Sequence, residues 1–245
     1  IVKISNTDSI SISLLDGADV VIVGNFVSMA EGVKKFLIQN KKYVIYEHDH
    51  KYLRTRDPSK FNNFIAPEEF IINREFYEGA LATVVLSQIC KDVLIKNLPK
   101  VNIHNIGCSL WSDYTFEFLK KKYDNKKTED LCIMKSGNPT KNYHNTVKFC
   151  NENGLNYKDL PPTAHHDFLT KMSDFKRFLF IPTVLETFSR ICAEAKMMNL
   201  DVMTNRKMIG FFSEKNSNLK GLELIESLQE RNKKALEFFE ELIWK

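Results

Sequence analysis

Short apolar runs alternate with amphipathic stretches along most of the 245-residue chain. The apolar runs are rich in β-branched residues and predict strands at the opening IVKI, at 18–25, 42–50, 81–87 and 101–107, and then at 131–137, 177–182 and 200–205. The stretches between them have helical spacing and predict helices at 29–40, 70–80, 88–98, 142–154, 164–175 and 186–199, and from about 219 to the end. Strands that alternate with helices predict βαβ units and parallel sheets.

The pattern restarts after a polar, lysine-rich stretch, LKKKYDNKKTED, at residues 119–130. We therefore expect an α/β protein with two Rossmann-like domains, 1–118 and 131–245, joined by a linker at 119–130. Neither half contains G-x-G-x-x-G or a Walker loop. Dinucleotide-dependent enzymes and P-loop NTPases are therefore disfavoured.

Composition adds few constraints on function. The balance of 43% hydrophobic and 27% charged residues is that of a globular protein, and the net charge is only +4. So small a positive net charge more often reflects solvated surface residues than a surface that binds nucleic acid or an anionic membrane. The five cysteines contain no C-x-x-C pair, which argues against a zinc knuckle and fits a reducing cytoplasm. No apolar run is long enough to span a membrane.

The stretch FLFIPTVLETFSRICAEAKMMNLDVMTN, residues 178–205, combines a buried strand with two carboxylates. In a doubly wound sheet, ligands bind beyond the carboxyl ends of strands, so we expect Glu186, Thr187 and Phe188 at a helix N-terminus that favours phosphate. Glu194 follows about two helical turns later and could face the same site. Two fixed carboxylates accept hydrogen bonds from vicinal hydroxyls, although two ordinary surface glutamates are the simpler explanation of this spacing alone.

This whole stretch resembles the carboxyl-terminal domain of retaining GT-B glycosyltransferases, especially family four. That family has a strand, a proline, E-x-F-G, and a helix with E-A. The resemblance implies that Glu186 binds hydroxyls of a donor sugar and that Glu194 binds the ribose of its nucleotide. Ser189 stands where the family usually has glycine, which predicts a less close approach of the backbone to the donor phosphates.

The segment KSGNPTKNYHN, after the first strand of the second half, bears on the diphosphate. The family carries an arginine and a lysine in this region. Lys141 matches the lysine, whereas the arginine position holds the uncharged Asn138; Lys135 or Arg190 could supply the missing charge. Read without the resemblance, Lys141 could equally be a solvated loop lysine.

The first half contains a second unusual stretch, YVIYEHDHKYLRTRDP, in which a strand runs into His48 and Asp49. Many retaining GT-B enzymes have a histidine after this strand, and phage DNA glucosyltransferases also resemble it. We therefore expect His48 and Asp49 to face the cleft between the domains; a metal site or a polar turn are the alternatives. Arg54 and Arg56 follow and could meet an anionic acceptor or donor. The glycine-rich loop with which the family opens is replaced by IVKISNTDSIS, so we expect an abbreviated amino-terminal domain.

The resemblance implies a cytoplasmic, metal-independent transferase without a cofactor, which moves a sugar from a nucleotide diphosphate sugar to a hydroxyl. Catalysis would involve His48, Asp49 and Glu186, and the donor would contact the residues after the two strands of the second half: Asn138, Lys141, Glu186, Thr187, Phe188, Ser189 and Glu194. The expected acceptor is a glycan or a lipid-linked glycan. A peripheral position at the anionic inner face of the membrane is an alternative to a purely cytoplasmic one. One alternative acceptor is hydroxymethylated phage DNA. Another alternative is a non-catalytic module that binds a nucleotide sugar or a glycan.

Overall fold

The computed structural model describes residues 4–244, so the first three residues of the predicted IVKI strand lie outside the described part. Within it, the protein is α/β, with two separate four-stranded parallel sheets. This confirms the predicted fold class. The more specific GT-B arrangement of two domains across a cleft stays a prediction.

The first sheet has the strand order β1-β2-β3-β4, with neighbours parallel. Its strands and helices alternate along the chain: α1 (Ile12–Asp16), β1 (Val20–Val23), α2 (Glu31–Asn40), β2 (Lys42–Tyr46), α3 (Arg74–Glu78), β3 (Ala82–Val85), α4 (Gln88–Asn97) and β4 (Ile103–Asn105). All four residues of β3 are buried, as expected for a central parallel strand covered on both faces.

The second sheet has the order β6-β5-β7-β8 and is again parallel. Its elements are α5 (Asp113–Lys122), β5 (Glu129–Met134), α6 (Tyr143–Glu152), β6 (Lys158–Leu160), α7 (His165–Met172), β7 (Phe175–Leu179), α8 (Arg190–Met197), β8 (Asp201–Met203) and α9 (Gly221–Trp244). The next strand in the chain, β6, lies on one side of β5, and the strand after it, β7, lies on the other side. The strand order therefore reverses between β5 and β7. Ligand sites of open α/β sheets form at such a reversal, beyond the carboxyl ends of the two strands.

The chain divides into two compact units, unit 1 up to Ile106 and unit 2 from Gly107, with the residues from Glu241 onward grouped with unit 1. This boundary lies earlier than the predicted linker at 119–130. That stretch instead contains the lysine-rich end of α5 and the start of β5.

Most of the predicted strands and helices are present, but several ends differ. The predicted helix at 70–80 is reduced to the five residues of α3, because Ile71 pairs with Leu53 in an isolated bridge before it. The predicted helix at 186–199 begins only at Arg190. Strand β6 and helix α1 were not predicted, because each is too short to show a hydrophobic period.

All five cysteines are free and buried, as expected of small core residues. Cys150 of α6, for example, packs with Leu131, Ile133 and Leu179 in a cluster on the second sheet. This apolar packing fixes β5 and β7 side by side, and the loops that follow these two strands carry the candidate site.

Candidate functional site

Two loops meet where the strand order of unit 2 reverses. One follows β5 and contains a short 3-10 turn at Pro139–Lys141; the other follows β7 and leads into α8. The backbone N–H of Thr183 donates to the carbonyl of Thr140 at 3.1 Å. The side-chain amide of Asn142 donates to the carbonyl of Ile181 at 2.9 Å. These bonds hold the two loops together at the reversal point.

Lys141 and Glu186 form an ion pair across these loops, with Nζ 2.7 Å from Oε1. The lysine side chain is 29% exposed and the carboxylate side chain 14% exposed. The ammonium group also lies 5.6 Å from the centre of the Phe180 ring. A cation and a carboxylate, both partly accessible, are therefore presented together at the carboxyl end of the sheet.

The backbone of Glu186 is fixed from the opposite side. Its N–H donates to the carbonyl of Met208 at 2.9 Å, and its own carbonyl accepts from the N–H of Gly210 at 2.8 Å. Glu186 thus pairs with Ile209 as an isolated parallel bridge. The expectation that Glu186, Thr187 and Phe188 lie at a helix N-terminus is wrong, because this bridge keeps Glu186 extended and α8 starts four residues after it.

Ser189 is the residue before α8 and has the left-handed backbone conformation, with φ 65° and ψ 81°. Non-glycine residues rarely adopt positive φ. The position therefore has the backbone of a glycine although it carries a serine. The Ser189 hydroxyl donates to the Cys192 thiol at 3.3 Å and does not cap the helix. The first N–H groups of α8, at Arg190 and Ile191, follow directly.

Glu194 lies in the middle of α8, with its side chain only 1% exposed. Its Oε1 accepts from Trp111 Nε1 at 2.8 Å and lies 3.0 Å from His165 Nε2 and 3.6 Å from an Arg190 guanidinium nitrogen. The same guanidinium lies 5.5 Å from the centre of the Trp111 ring. All three contacts involve Oε1. Trp111 and His165 were not singled out from the sequence.

The pKa of the Cys192 thiol depends on the charges of both Glu186 and Glu194. This pKa is raised to about 12, chiefly by burial; the charges of Glu186 and Glu194 also raise it, whereas the hydrogen bond from Ser189 and the charge of Lys141 lower it. The thiol therefore lies within electrostatic range of both glutamates and of the lysine. This brings the two predicted carboxylates into one neighbourhood.

The remaining predicted donor contacts of unit 2 differ in what their side chains do. The Asn138 side-chain oxygen accepts from the backbone N–H of Thr140 at 3.0 Å and from its hydroxyl at 2.8 Å, so it shapes the turn that carries Lys141. The Phe188 ring is buried against Trp111 and Phe211. Phe188 therefore supports the site through core packing, while Thr187 beside it is only half-buried.

In unit 1, His48 and Asp49 follow the end of β2 at Tyr46. The His48 ring packs edge-on against Tyr46 at 4.2 Å between centroids, and burial together with the charge of Lys51 lowers its pKa. The carboxylate of Asp49 pairs with Arg56 at 2.7 Å. The structure places the two residues next to each other in a polar turn; that they face a cleft and take part in catalysis stays a prediction.

Glu47 is the most constrained charge in this turn, and no role was predicted for it from the sequence. It is buried, accepts from the Asp49 backbone N–H at 2.7 Å and from Lys51 Nζ at 3.0 Å, and also accepts from the Tyr77 hydroxyl. Burial alone raises the pKa of Glu47, but the charge of Lys51 and these hydrogen bonds outweigh it and hold the pKa below its usual value. Burial and the neighbouring Glu47 raise the pKa of Tyr77.

Over residues 4–244, no three His, Cys, Asp or Glu side chains are grouped so as to hold a metal ion. In the same residues, no helix is both long and apolar enough to cross a membrane. No protein-family model matches the chain, and no curated protein sequence matches it significantly.

Proposed function

We propose that the protein is a retaining glycosyltransferase, which transfers a sugar from a nucleotide diphosphate sugar to a hydroxyl of a glycan or lipid-linked glycan. The donor would bind in unit 2. The observation that carries the proposal is the Lys141–Glu186 pair, 2.7 Å apart at the point where the strand order reverses. The two residues that the family resemblance assigns to the donor come from different loops, and the fold brings them together.

Lys141 would act on the leaving group. When the bond between the anomeric carbon and the phosphate oxygen breaks, the electron pair of that bond stays on the oxygen. The leaving diphosphate therefore gains negative charge. A preorganised ammonium group stabilises that charge without reorganisation. The acceptor oxygen forms the new bond on the same face, and its proton passes to the departing phosphate oxygen.

Glu186 would orient the donor sugar. Its backbone is held by Met208 and Gly210, so the carboxylate is directed from a fixed point, and Lys141 contacts only Oε1. Oε2 is left to accept hydrogen bonds from sugar hydroxyls. Fixing the sugar in this way reduces the entropy lost on reaching the reactive geometry.

Glu194 would accept hydrogen bonds from the nucleotide ribose. Trp111, His165 and Arg190 all approach Oε1, so they are positioning residues that set the direction of Oε2. Arg190 also begins α8 and is half exposed, so it could supply part of the positive charge that Asn138 lacks. Ser189 keeps a glycine-like backbone conformation before this helix, whose first N–H groups favour a phosphate.

A non-catalytic module that binds a nucleotide sugar is the second candidate. Asn138 favours it, since this residue stands at the family's arginine position and its side chain is engaged in shaping the turn. Such a module would bind a donor through Lys141 and Glu186 without breaking the glycosidic bond.

The test is a thermal-shift screen with UDP, GDP, ADP and CDP sugars on the full chain and on Lys141→Met and Glu186→Gln. A ligand that binds only the folded state raises the melting temperature. We expect one nucleotide class to raise the wild-type melting temperature and to act weakly on both variants. Lys148→Met, an exposed lysine of α6, is the matched control and should respond like wild type.

Turnover then separates the two candidates. The stabilising donor is incubated with the protein, and NMR follows the anomeric configuration of the product. Hydrolysis or transfer that keeps this configuration supports the transferase. Binding without turnover on glycan, lipid-linked and hydroxymethylated DNA acceptors supports the binding module. If no nucleotide sugar at millimolar concentration shifts the wild-type melting temperature, the proposed donor site is wrong.

A further inference from the structure

Unit 1 contains a cavity of about 690 Å³ that is not part of the donor site. Its walls come from the segments that follow β1 and β2, from α2 and from the start of α3. Val27, Ile38 and Ile72 contribute accessible apolar surface to it, and the buried side chains of Phe26, Leu53 and Phe76 lie behind them. The volume is within the range of small-molecule sites, which is about 300–1,000 Å³.

The charged residues that line this cavity are mostly cationic. Two are acidic, Glu31 and Glu75. The basic ones are Lys34, Lys35, Lys51, Arg54, Arg56 and Arg74. Carboxylates pair with four of these cations, Lys34, Lys51, Arg56 and Arg74, so the charge that an anion would meet is that of Lys35 and Arg54. Uncompensated charge on a concave wall raises the local concentration of counter-ions, and the cavity is therefore suited to an anion at these two residues.

Two of these cations are fixed inside the wall. The side chain of Lys51 is 1% exposed and that of Lys34 is 8% exposed. Lys51 Nζ donates to Glu47, while Lys34 Nζ donates to Glu31 at 2.6 Å and to the Asn73 side-chain oxygen at 2.9 Å. The two ammonium groups lie 5.6 and 5.8 Å from the centre of the Phe26 ring. These contacts hold both charges at set positions around one aromatic side chain.

The other cations are available to a ligand. Across residues 4–244, the ion pairs within 4 Å include none made by Lys35 or Arg54, both of which are exposed. Arg56 and Arg74 pair with Asp49 and Glu68, but these pairs are open to solvent. The pair of Arg56 with Asp49 has both side chains nearly half exposed, and such pairs contribute little, so an incoming anion can replace the carboxylate at little cost.

We propose that this cavity binds a ligand with a phosphate or diphosphate group, with Lys35 and Arg54 as the principal contacts and Arg56 as a further one. Guanidinium groups recognise phosphate through paired N–H donors, which favours phosphate over a simple halide. The apolar wall at Val27 and Ile72 takes the part of the ligand next to the phosphate. The site shares no residue with the Lys141–Glu186 site, so it does not depend on the proposed donor.

The test is a calorimetric titration of the full chain with pyrophosphate. A reference titration with sodium chloride at the same ionic strength shows how much of the signal is due to salt alone. We expect pyrophosphate to bind, and the double variant Lys35→Gln/Arg54→Gln to bind it at least tenfold more weakly. Lys60→Gln/Lys100→Gln removes two exposed lysines of unit 1 outside the cavity and is the charge-matched control. It should bind like wild type.

The variant Lys141→Met separates this site from the donor site, because pyrophosphate resembles a donor diphosphate as well. Retained binding in Lys141→Met, together with loss in the cavity variant, supports the proposal. Loss in Lys141→Met alone overturns it and leaves the proposed function intact. No binding of pyrophosphate, or equal weakening by the cavity and control variants, also overturns it.

Sedimentation with vesicles distinguishes a soluble ligand from a lipid headgroup. Phosphatidylcholine vesicles with and without phosphatidylglycerol are compared for wild type and both double variants. Binding that requires phosphatidylglycerol together with Lys35 and Arg54 supports the cavity and identifies its phosphate as a headgroup. Pyrophosphate binding that requires the same two residues, without sedimentation, supports the cavity with a soluble ligand.

Discussion

Trp111 Nε1 donates to Glu194 Oε1 at 2.8 Å, although 83 residues separate the two in the chain. Both side chains are buried. His165 Nε2 approaches the same oxygen at 3.0 Å from the first residue of α7. The carboxylate on α8 is therefore oriented by a loop before the second sheet and by another helix, which is unusual for an ordinary surface glutamate.

Glu194→Ala should destabilise the protein, because it leaves the buried indole N–H of Trp111 without an acceptor. An unsatisfied buried donor costs about 1–3 kcal/mol. Glu194→Gln should lose less, since its amide oxygen can still accept from Trp111. Urea unfolding of the full chain, followed by far-UV circular dichroism, measures the difference.

Glu226→Ala is the control for this pair of variants, since Glu226 is exposed on α9. Its effect should stay within about 0.5 kcal/mol of wild type. Equal losses for Glu194→Ala and Glu226→Ala would mean that the Trp111 contact contributes nothing measurable.

The Lys141–Glu186 pair should contribute little to stability but much to donor binding. In a double-mutant cycle of Lys141→Met and Glu186→Gln, the coupling free energy of unfolding should be no more than about 1 kcal/mol, because solvent screens the pair. Each single variant should weaken donor binding by about 1.5–3 kcal/mol, the value of a hydrogen bond to a charged group. Calorimetric titration with the stabilising nucleotide sugar measures this loss. A coupling energy well above that limit, with unchanged donor affinity, would make the pair structural.

The sequence predicted the parallel sheets well because buried strands in α/β proteins are continuous apolar runs. β2 and β3 lie within predicted strands, whereas β7 begins two residues before the predicted strand at 177–182 and overlaps it. Element ends were less predictable, and the start of α8 is the clearest example. Its delay arises from the bridge between Glu186 and Ile209, a pairing with a distant segment that no local period contains.

In the candidate site too, some residues could be predicted from the sequence and others could not. Lys141 and Glu186 came from a motif, and the fold brings them together. Trp111 and His165 were missed because contacts across tens of residues leave no trace in periodicity. One signal was present: Trp111 is one of only two tryptophans, and a buried indole N–H requires an acceptor.

Ser189→Gly should leave the protein as stable as wild type or up to about 1 kcal/mol more stable. Left-handed backbone costs a non-glycine residue about 1–2 kcal/mol, whereas glycine raises the entropy of the unfolded chain, which offsets part of this gain. Ser189→Val should be less stable than wild type, since a β-branched side chain tolerates positive φ poorly. Thermal melts compare both. Ser227→Gly, inside α9, should instead lose about 0.5–1 kcal/mol. A similar loss in Ser189→Gly would show that the serine side chain matters more than its backbone conformation.

His48 should make unit 1 less stable as the pH falls through about 6.5, the usual pKa of histidine. Burial and the charge of Lys51 lower the pKa of folded His48, so the unfolded chain takes up the proton first. This contribution is fully present above the unfolded pKa and is lost as the pH falls toward the folded pKa.

Glu47 also makes the protein less stable as the pH falls, but this loss of stability begins only below about pH 4.5, because the folded pKa of Glu47 is lowered from its usual value of 4.5. In urea unfolding between pH 7.5 and 5.5, His104 acts with the same sign, because burial and the charge of Lys91 lower its pKa, so the difference between His48→Gln and wild type measures the share of His48. The fall in stability over this range should be smaller in His48→Gln than in wild type, and unchanged in His144→Gln, which replaces an exposed histidine of α6. If His48→Gln and wild type lose the same stability, the folded protein accommodates the imidazolium at no cost.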